Sequence, residues 1–280
     1  MPCPNCGAEI IHAYCGFCGE RRLSDHGNGF ASLARESVES FFNVDGRAVR
    51  TFQALIRRPG TLTVAYVRGV RRVYLGPFNC FVIANIVYFI WATATGSNTL
   101  ATPLAVHMSQ TPYRAAASAA VAKRLAGSGE SMATFERRFD ARSQAEARSL
   151  VIFMIPAFAA AVGLVCVGSR RPPVQHVVFA IHSFAALLIG LVPAAYVAGA
   201  IELVSRVAGR RPLDGDTVLT AVIAAAAATY LFLAVRRAYG FSRSRAWITT
   251  LLLVGVLPVI LVAYRAMLFA VTLWTTPVIR

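Results

Sequence analysis

Residues 177–204, VVFAIHSFAALLIGLVPAAYVAGAIELV, decide the fold of this chain. They carry one formal charge, at Glu202, and as a helix they are long enough to cross a hydrocarbon core, which needs about 20 residues for about 30 Å. Four more apolar runs have the same character, at 78–95, 150–168, 217–235 and 246–274. The sequence therefore predicts a mainly α, polytopic transmembrane helix bundle with about five spans.

Composition supports a membrane setting and disfavours a nucleic-acid partner. Of the 280 residues, 56% are hydrophobic and only 15% are charged, too few charges to cover a soluble domain of this size. The net charge is +15, but the arginines flank apolar runs and do not form one polar face. This placement predicts contact with anionic lipid headgroups. Abundant Ala, Val and Arg beside a single lysine suggest a bacterial origin, hence a multi-pass protein of the bacterial inner membrane.

Four cysteines stand in the first 18 residues, as CPNCG at 3–7 and CGFCG at 15–19. Two Cys-x-x-Cys pairs supply the four thiolates of a tetrahedral zinc site, and the glycine after each second cysteine permits a tight knuckle. The ligands are Cys3, Cys6, Cys15 and Cys18, and Zn²⁺ is the predicted cofactor. With no open position the zinc would be structural; disulfides or an iron–sulfur site are the alternatives. We expect His12 to be a surface residue.

The four-cysteine segment is predicted to be a zinc ribbon. The segment between this ribbon and the first span is basic and amphipathic. Apolar residues recur at helical spacing in 30–41, 47–58 and 61–74, and each stretch is too short or too charged to span. Each fits a helix in the cytosolic interface, with arginines at the headgroups. Packing on the bundle as scaffold is an alternative compatible with this. The arginines expected to contact headgroups are Arg57, Arg58, Arg68, Arg71 and Arg72.

These features divide the chain into a zinc ribbon at 1–22, interfacial helices at 28–77 and a transmembrane bundle at 78–274. Free thiolates indicate a reducing compartment, so we expect a cytosolic N-terminus, and the first residues do not resemble a signal peptide. Five spans then put sixteen Lys and Arg residues inside and eleven outside, which agrees with this orientation. Residues 96–149 become an extracytoplasmic helical hairpin, with helices at 113–126 and 132–148.

Ionisable residues inside spans call for a functional interpretation. Glu202 and Arg265 both fall toward the external leaflet, and we predict that they pair as a structural tie; a transport site is the alternative. His176 and His182 open the third span. Each histidine is expected to contact backbone or headgroups, and a second metal or proton-handling site is the alternative. We interpret Cys80 and Cys166 as small packing residues.

The order of several short motifs resembles a family of bacterial membrane proteins known as domain of unknown function 3667. The motifs are the two Cys-x-x-Cys-Gly knuckles, Arg58-Pro59-Gly60, Tyr66, Gly69, Arg71, Tyr74, Pro77-Phe78, His176…Phe179…His182 and Arg236-Arg237-Ala238-Tyr239-Gly240. Members often carry an acidic residue before the first of these histidines, where this chain has Gln175. The resemblance implies a fold and a membrane location and carries no established activity.

Three functional hypotheses follow from the sequence. The first is a non-enzymatic scaffold or regulator that docks a protein partner or lipid at the cytosolic surface. The second is a transporter or lipid-handling protein, which would need a polar cavity lined by Asn85, Tyr88, His182 or Glu202. The third is a membrane enzyme; the chain shows no Ser/His/Asp arrangement and no paired carboxylates near the membrane. We expect the first, and therefore no enzymatic activity.

Overall fold

A computed structural model of the chain describes residues 1–22, 33, 46–208 and 215–277. It is helical from Arg47 onward in these residues, as the sequence predicts. The helices are α1 (Arg47–Arg57), α2 (Thr61–Val67), α3 (Pro77–Thr95), α4 (Leu104–Ser109), α5 (Arg114–Leu125), α6 (Met132–Leu150), α7 (Met154–Val165), α8 (Pro173–Val207), α9 (Gly215–Tyr239) and α10 (Arg243–Thr275). The amphipathic helix predicted at 30–41 lies outside the described residues, except for Leu33, which is buried.

Within the described chain, five helices are long and apolar enough to cross a membrane. They are α3, the continuous segment Met132–Val165, α8, α9 and α10, and they coincide with the five predicted apolar runs. The chain is therefore a multi-pass helical membrane protein. Pro193 and Pro258 lie inside α8 and α10.

The junction of α6 and α7 is a short 3₁₀ turn, Val151–Phe153. Pro156 explains it, because proline has no N–H to donate to the carbonyl four residues earlier and so cannot continue an α-helical hydrogen-bond ladder. The predicted charged helix thus runs into the second span through a local change of helix type.

The third interfacial helix is shorter than its expected range of 61–74. α2 ends at Val67 because Gly69 adopts a left-handed conformation, with φ +86°. Its N–H donates to the carbonyl of Tyr66, and the Val70 N–H donates to that of Ala65. This pair of bonds is a Schellman termination, which satisfies the last carbonyls and stops the helix. Residues 68–74, which had been expected to be helical, therefore belong to a non-helical linker, 68–76, into α3.

The described chain separates into two compact units, Met1–Tyr88 with Ala159–Val254, and Phe89–Phe158 with Gly255–Arg280. In the first unit, α9 packs along α8 and α2 packs against both. A close approach occurs at Gly60, where an added Cβ would lie 2.6 Å from the Ala234 carbonyl oxygen. Arg237 reinforces this contact by donating to the carbonyl of Pro59 at 2.9 Å.

The second unit has its own hydrophobic core beneath the hairpin helices. Helix α5 lies where the sequence predicts it. Gly127 and Gly129, which follow it, both have positive φ. Helix α4 was not predicted, since its six residues are too few for a periodic pattern. The core residues are Leu104, Ala117, Val121, Phe135, Phe139 and Phe269.

Candidate metal centre

The four predicted cysteines converge on one point. Their sulfur atoms all lie within 4.8 Å of one another. The Cys3 and Cys18 sulfurs are 3.6 Å apart, as are those of Cys6 and Cys15. A tetrahedral site with metal–sulfur bonds of about 2.3 Å separates its sulfurs by about 3.8 Å. The spacing therefore fits a metal ion held by four thiolates, and it is too long for disulfide bonds, which are about 2.05 Å.

The two halves of the ribbon repeat the same backbone design. The Gly7 N–H donates to the Cys3 carbonyl at 2.9 Å, and the Gly19 N–H donates to the Cys15 carbonyl at 2.8 Å. Gly7 and Gly19 both have positive φ, at +79° and +69°. The glycine after each second cysteine is thus required by the turn, as the sequence predicts, because a side chain is strained in this conformation.

Backbone N–H groups favour the thiolate form of Cys15, the form that would bind a metal. The N–H groups of Cys18 and Phe17 point at its sulfur and lower its pKa to about 6, because hydrogen bonds to a thiolate stabilise the charged form. A thiolate is the species that binds metal. His12 is exposed and does not belong to the cluster.

A buried carboxylate fastens the ribbon to the chain before the first span. Glu20 is only 2% exposed, and its Oε2 accepts from the backbone N–H groups of Arg71 and Arg72, each at 3.1 Å. The Arg72 guanidinium donates in return to the Gly19 carbonyl at 3.1 Å. The four-cysteine cluster is therefore held against the linker between α2 and α3. Sequence reasoning missed Glu20, because its partners lie 51 residues away.

Four of the five arginines assigned to headgroups are exposed: Arg57, Arg58, Arg68 and Arg72. Arg71 is half-buried and stacks over the Tyr66 ring, with 4.4 Å between the guanidinium carbon and the ring centroid. Its side chain therefore packs on protein. Contact of the other four with lipid stays a prediction.

The two histidines of α8 face different polar partners. His182 is buried and its Nδ1 lies 3.2 Å from the Thr63 hydroxyl of α2. His176 is half-buried; its Nδ1 lies 2.8 Å from the Tyr239 hydroxyl of α9, and the two rings stack. Each histidine thus links α8 to a different neighbouring helix. Neither Thr63 nor Tyr239 was identified as a partner from the sequence, because these contacts are non-local.

The other polar residues predicted inside spans are placed as follows. Glu202 forms an ion pair with Arg206 of the same helix, at 3.7 Å. Arg265 belongs to the other unit, so its pairing with Glu202 stays a prediction. Cys80 and Cys166 are both buried, as expected for packing residues.

The fold and the cluster together define a class: multi-pass helical membrane proteins with an N-terminal four-cysteine ribbon that could hold a metal ion. The family described as "Protein of unknown function (DUF3667)" matches residues 45–89. This confirms the resemblance over a segment that contains α1, α2 and the first part of α3. Three residues that carried the resemblance have structural roles in this segment. Gly60 contacts α9, Gly69 ends α2, and the Tyr66 ring supports the Arg71 guanidinium.

No curated protein and no solved structure matches the chain significantly.

Proposed function

We propose that this protein is a non-enzymatic membrane scaffold or regulator of the bacterial inner membrane. Its zinc ribbon, held at the cytosolic membrane surface, docks a protein partner, while the arginines around α1 and α2 contact anionic lipid headgroups. The observation that carries this proposal is the Glu20 contact. A ribbon on a free tether could take any position, whereas a buried carboxylate bound to two backbone N–H groups fixes its position on the linker.

Exposed apolar residues of the ribbon suit a protein partner. Ile11, Tyr14 and Phe17 fall within seven consecutive residues and are 74%, 59% and 86% exposed. Exposed apolar side chains on so small a module favour a docking role over a purely structural one. Zinc is the expected metal because a closed set of four thiolates is typical of structural zinc sites, where the ion stabilises the fold and leaves no position for a substrate.

Metal analysis of the purified full-length protein tests the first part of the proposal. We expect one zinc ion per chain, absent from Cys15→Ser and retained by His12→Ala, which changes an exposed residue beside the cluster. Iron in place of zinc would change the assigned cofactor. Full metal content in Cys15→Ser would contradict the four-thiolate site.

Photo-crosslinking in intact cells tests the docking surface. With a benzophenone amino acid at position 17 of the full chain, we expect a protein adduct that disappears when Cys15→Ser removes the metal. The same probe at position 153, an exposed residue of the second apolar segment, is the control and should give no such adduct. A position-17 probe that captures no protein, or one whose adduct survives loss of the metal, would overturn docking through the folded ribbon.

Hydrogen exchange in nanodiscs tests the lipid contact. Replacing phosphatidylcholine by phosphatidylglycerol should slow exchange in residues 46–68, because each arginine near an anionic surface contributes about 1 kcal/mol. The double variant Arg57→Gln, Arg58→Gln should lose this protection, whereas Arg114→Gln, an exposed arginine of α5, should keep it. Equal exchange in both lipids would exclude a headgroup role for these arginines.

A further inference from the structure

The last turns of α10 lie inside the core of the hairpin unit. Phe269 packs against His107, with ring centroids 5.1 Å apart, and against Phe139 at 5.8 Å. His107 is completely buried. The part of α10 that carries Phe269 is therefore covered by protein of the hairpin.

Arg265 lies one helical turn before Phe269, on the same side of α10, since residues four apart share a helix face. Residues 246–264 carry no charged side chain, and as a helix they cover about 30 Å, the thickness of a hydrocarbon core. Counted from Arg245, the last charged residue before this stretch, Arg265 lies about 30 Å along the helix, toward the hairpin-side leaflet. From this part of a span an arginine side chain can extend to lipid phosphates.

The charge of Arg265 has no counter-charge within its own unit, as far as that unit is described. Its Nε is buried and makes no hydrogen bond. Three of the four carboxylates in this unit are engaged elsewhere: Glu130 with Arg138, Glu146 with Arg142, and Asp140 with the Leu104 N–H. Arg265 is half-buried, and a partly desolvated cation in a span is costly without a partner. In proteins such groups are paired or bind a charged ligand.

Two polar side chains, those of His107 and Tyr113, feel the charge of Arg265. The His107 Nδ1 lies 2.9 Å from the Tyr113 hydroxyl. The Nε2 of the same ring makes no hydrogen bond. The backbone of Thr102 interacts with the ring in a way that favours the charged form of His107. Burial and the charge of Arg265 lower the pKa of His107 to about 4, and burial raises the pKa of Tyr113. Near neutral pH, Arg265 is thus the charged member of this group.

We propose that Arg265, with His107 and Tyr113 beside it, forms a binding site for a phosphate-type oxyanion. A guanidinium matches phosphate oxygens in a bidentate way, and a phenol and an imidazole supply further neutral donors. The depth of Arg265 favours the phosphate of a lipid headgroup over a free anion. The anion would supply the counter-charge that the sequence assigns to Glu202, which already pairs with Arg206.

Native mass spectrometry of the full-length protein provides the test. After transfer from phosphatidylglycerol nanodiscs, the wild type should retain one more phosphatidylglycerol molecule than Arg265→Gln. Arg137→Gln, which removes an exposed charge from the same hairpin, should behave like the wild type. In a parallel arm, inorganic phosphate is added to lipid-free protein in neutral detergent, and its effect on melting temperature is compared with that of chloride.

Each outcome either supports or overturns the proposed oxyanion site. Arg265-dependent retention of lipid supports a headgroup site, and an Arg265-dependent response to phosphate alone supports the same site with a soluble ligand. If neither depends on Arg265, the site does not exist. Equal and non-additive stability losses in Arg265→Gln and Glu202→Gln would identify Glu202 as the counter-ion and overturn the proposal. Should Arg265→Gln aggregate, Arg265→Lys and Tyr113→Phe carry the test: weakened retention supports the site, and unchanged retention overturns it.

Discussion

At the residue scale, the contact with most consequence is that of Glu20. Most contacts that shape the ribbon join residues close in sequence. Glu20, in contrast, joins the ribbon to the distant Arg71 and Arg72. A buried carboxylate that accepts two backbone N–H groups also protects those groups from water. Its removal would leave both donors without a partner.

Glu20→Ala is therefore expected to loosen the ribbon without unfolding the spans. Two partly buried backbone donors lose a charged acceptor, which costs about 1–3 kcal/mol locally and should speed amide exchange at Arg71 and Arg72 by roughly tenfold to a hundredfold. Hydrogen exchange by mass spectrometry measures this directly. Glu9→Ala, an exposed residue of the ribbon, is the matched control. Unchanged exchange in Glu20→Ala would show that the contact does not hold the ribbon.

His107 makes stability depend on pH. Its pKa is lowered from 6.5 to about 4 by burial and by the charge of Arg265, so the unfolded chain binds more protons than the folded chain between these values. Stability should therefore fall as pH drops from about 6.5 toward 4, because protonation favours the unfolded state. His107→Gln should flatten this part of the profile of melting temperature against pH. His12→Gln, at an exposed position, should leave it unchanged; a wild-type slope in His107→Gln would refute the assignment.

At the element scale, the Pro59-Gly60 turn places α2 against α9. Gly60 has φ +82° and lies against the backbone of Ala234, so it meets both requirements that call for glycine. Around it, Arg237 binds the Pro59 carbonyl and His182 binds Thr63. The turn is thus a packing contact as well as the end of α1.

A pair of glycine substitutions separates the cost of positive φ from the cost of the close contact with Ala234. Gly60→Ala and Gly240→Ala both place alanine at positive φ, which costs about 1–2 kcal/mol. Nothing lies within 4 Å of an added Cβ at Gly240, whereas at Gly60 the added atom meets the Ala234 carbonyl oxygen at 2.6 Å. Gly60→Ala should therefore lower the melting temperature in detergent clearly more than Gly240→Ala does. Equal losses would mean that the contact with α9 can shift without cost.

At the scale of the whole molecule, orientation in the membrane is open to a direct measurement. Lys123 is the only lysine in the chain, and it is exposed on α5 of the hairpin. With a cytosolic N-terminus, a membrane-impermeant amine reagent applied to intact cells should modify Lys123 and leave the amine of Met1 unmodified. Inverted vesicles should give the opposite result, and Lys123→Arg provides the control. Labelling of Met1 in intact cells would contradict the predicted orientation and indicate an N-terminus outside the cytosol.

Much of the architecture was predictable because it depends on local composition. The five apolar segments were found from the length of uncharged sequence, and the ribbon from the spacing of Cys3, Cys6, Cys15 and Cys18. Helix ends were less predictable: α2 stops at Gly69, where a left-handed glycine outweighs the apolar spacing that continues beyond it. The short helix α4 escaped prediction because hydrophobic packing stabilises it more than helical periodicity does.

The sequence by itself determined the membrane class of this protein and its four sulfur ligands, since both follow from residue type and near-neighbour spacing. Only the tertiary structure decided what those ligands are fastened to and which polar groups inside the protein have partners. Glu20 with Arg71, His182 with Thr63, and Arg265 beside the buried His107 all depend on residues far apart in the chain. No local pattern specifies such pairs, because they form only when packing brings distant segments together and excludes water.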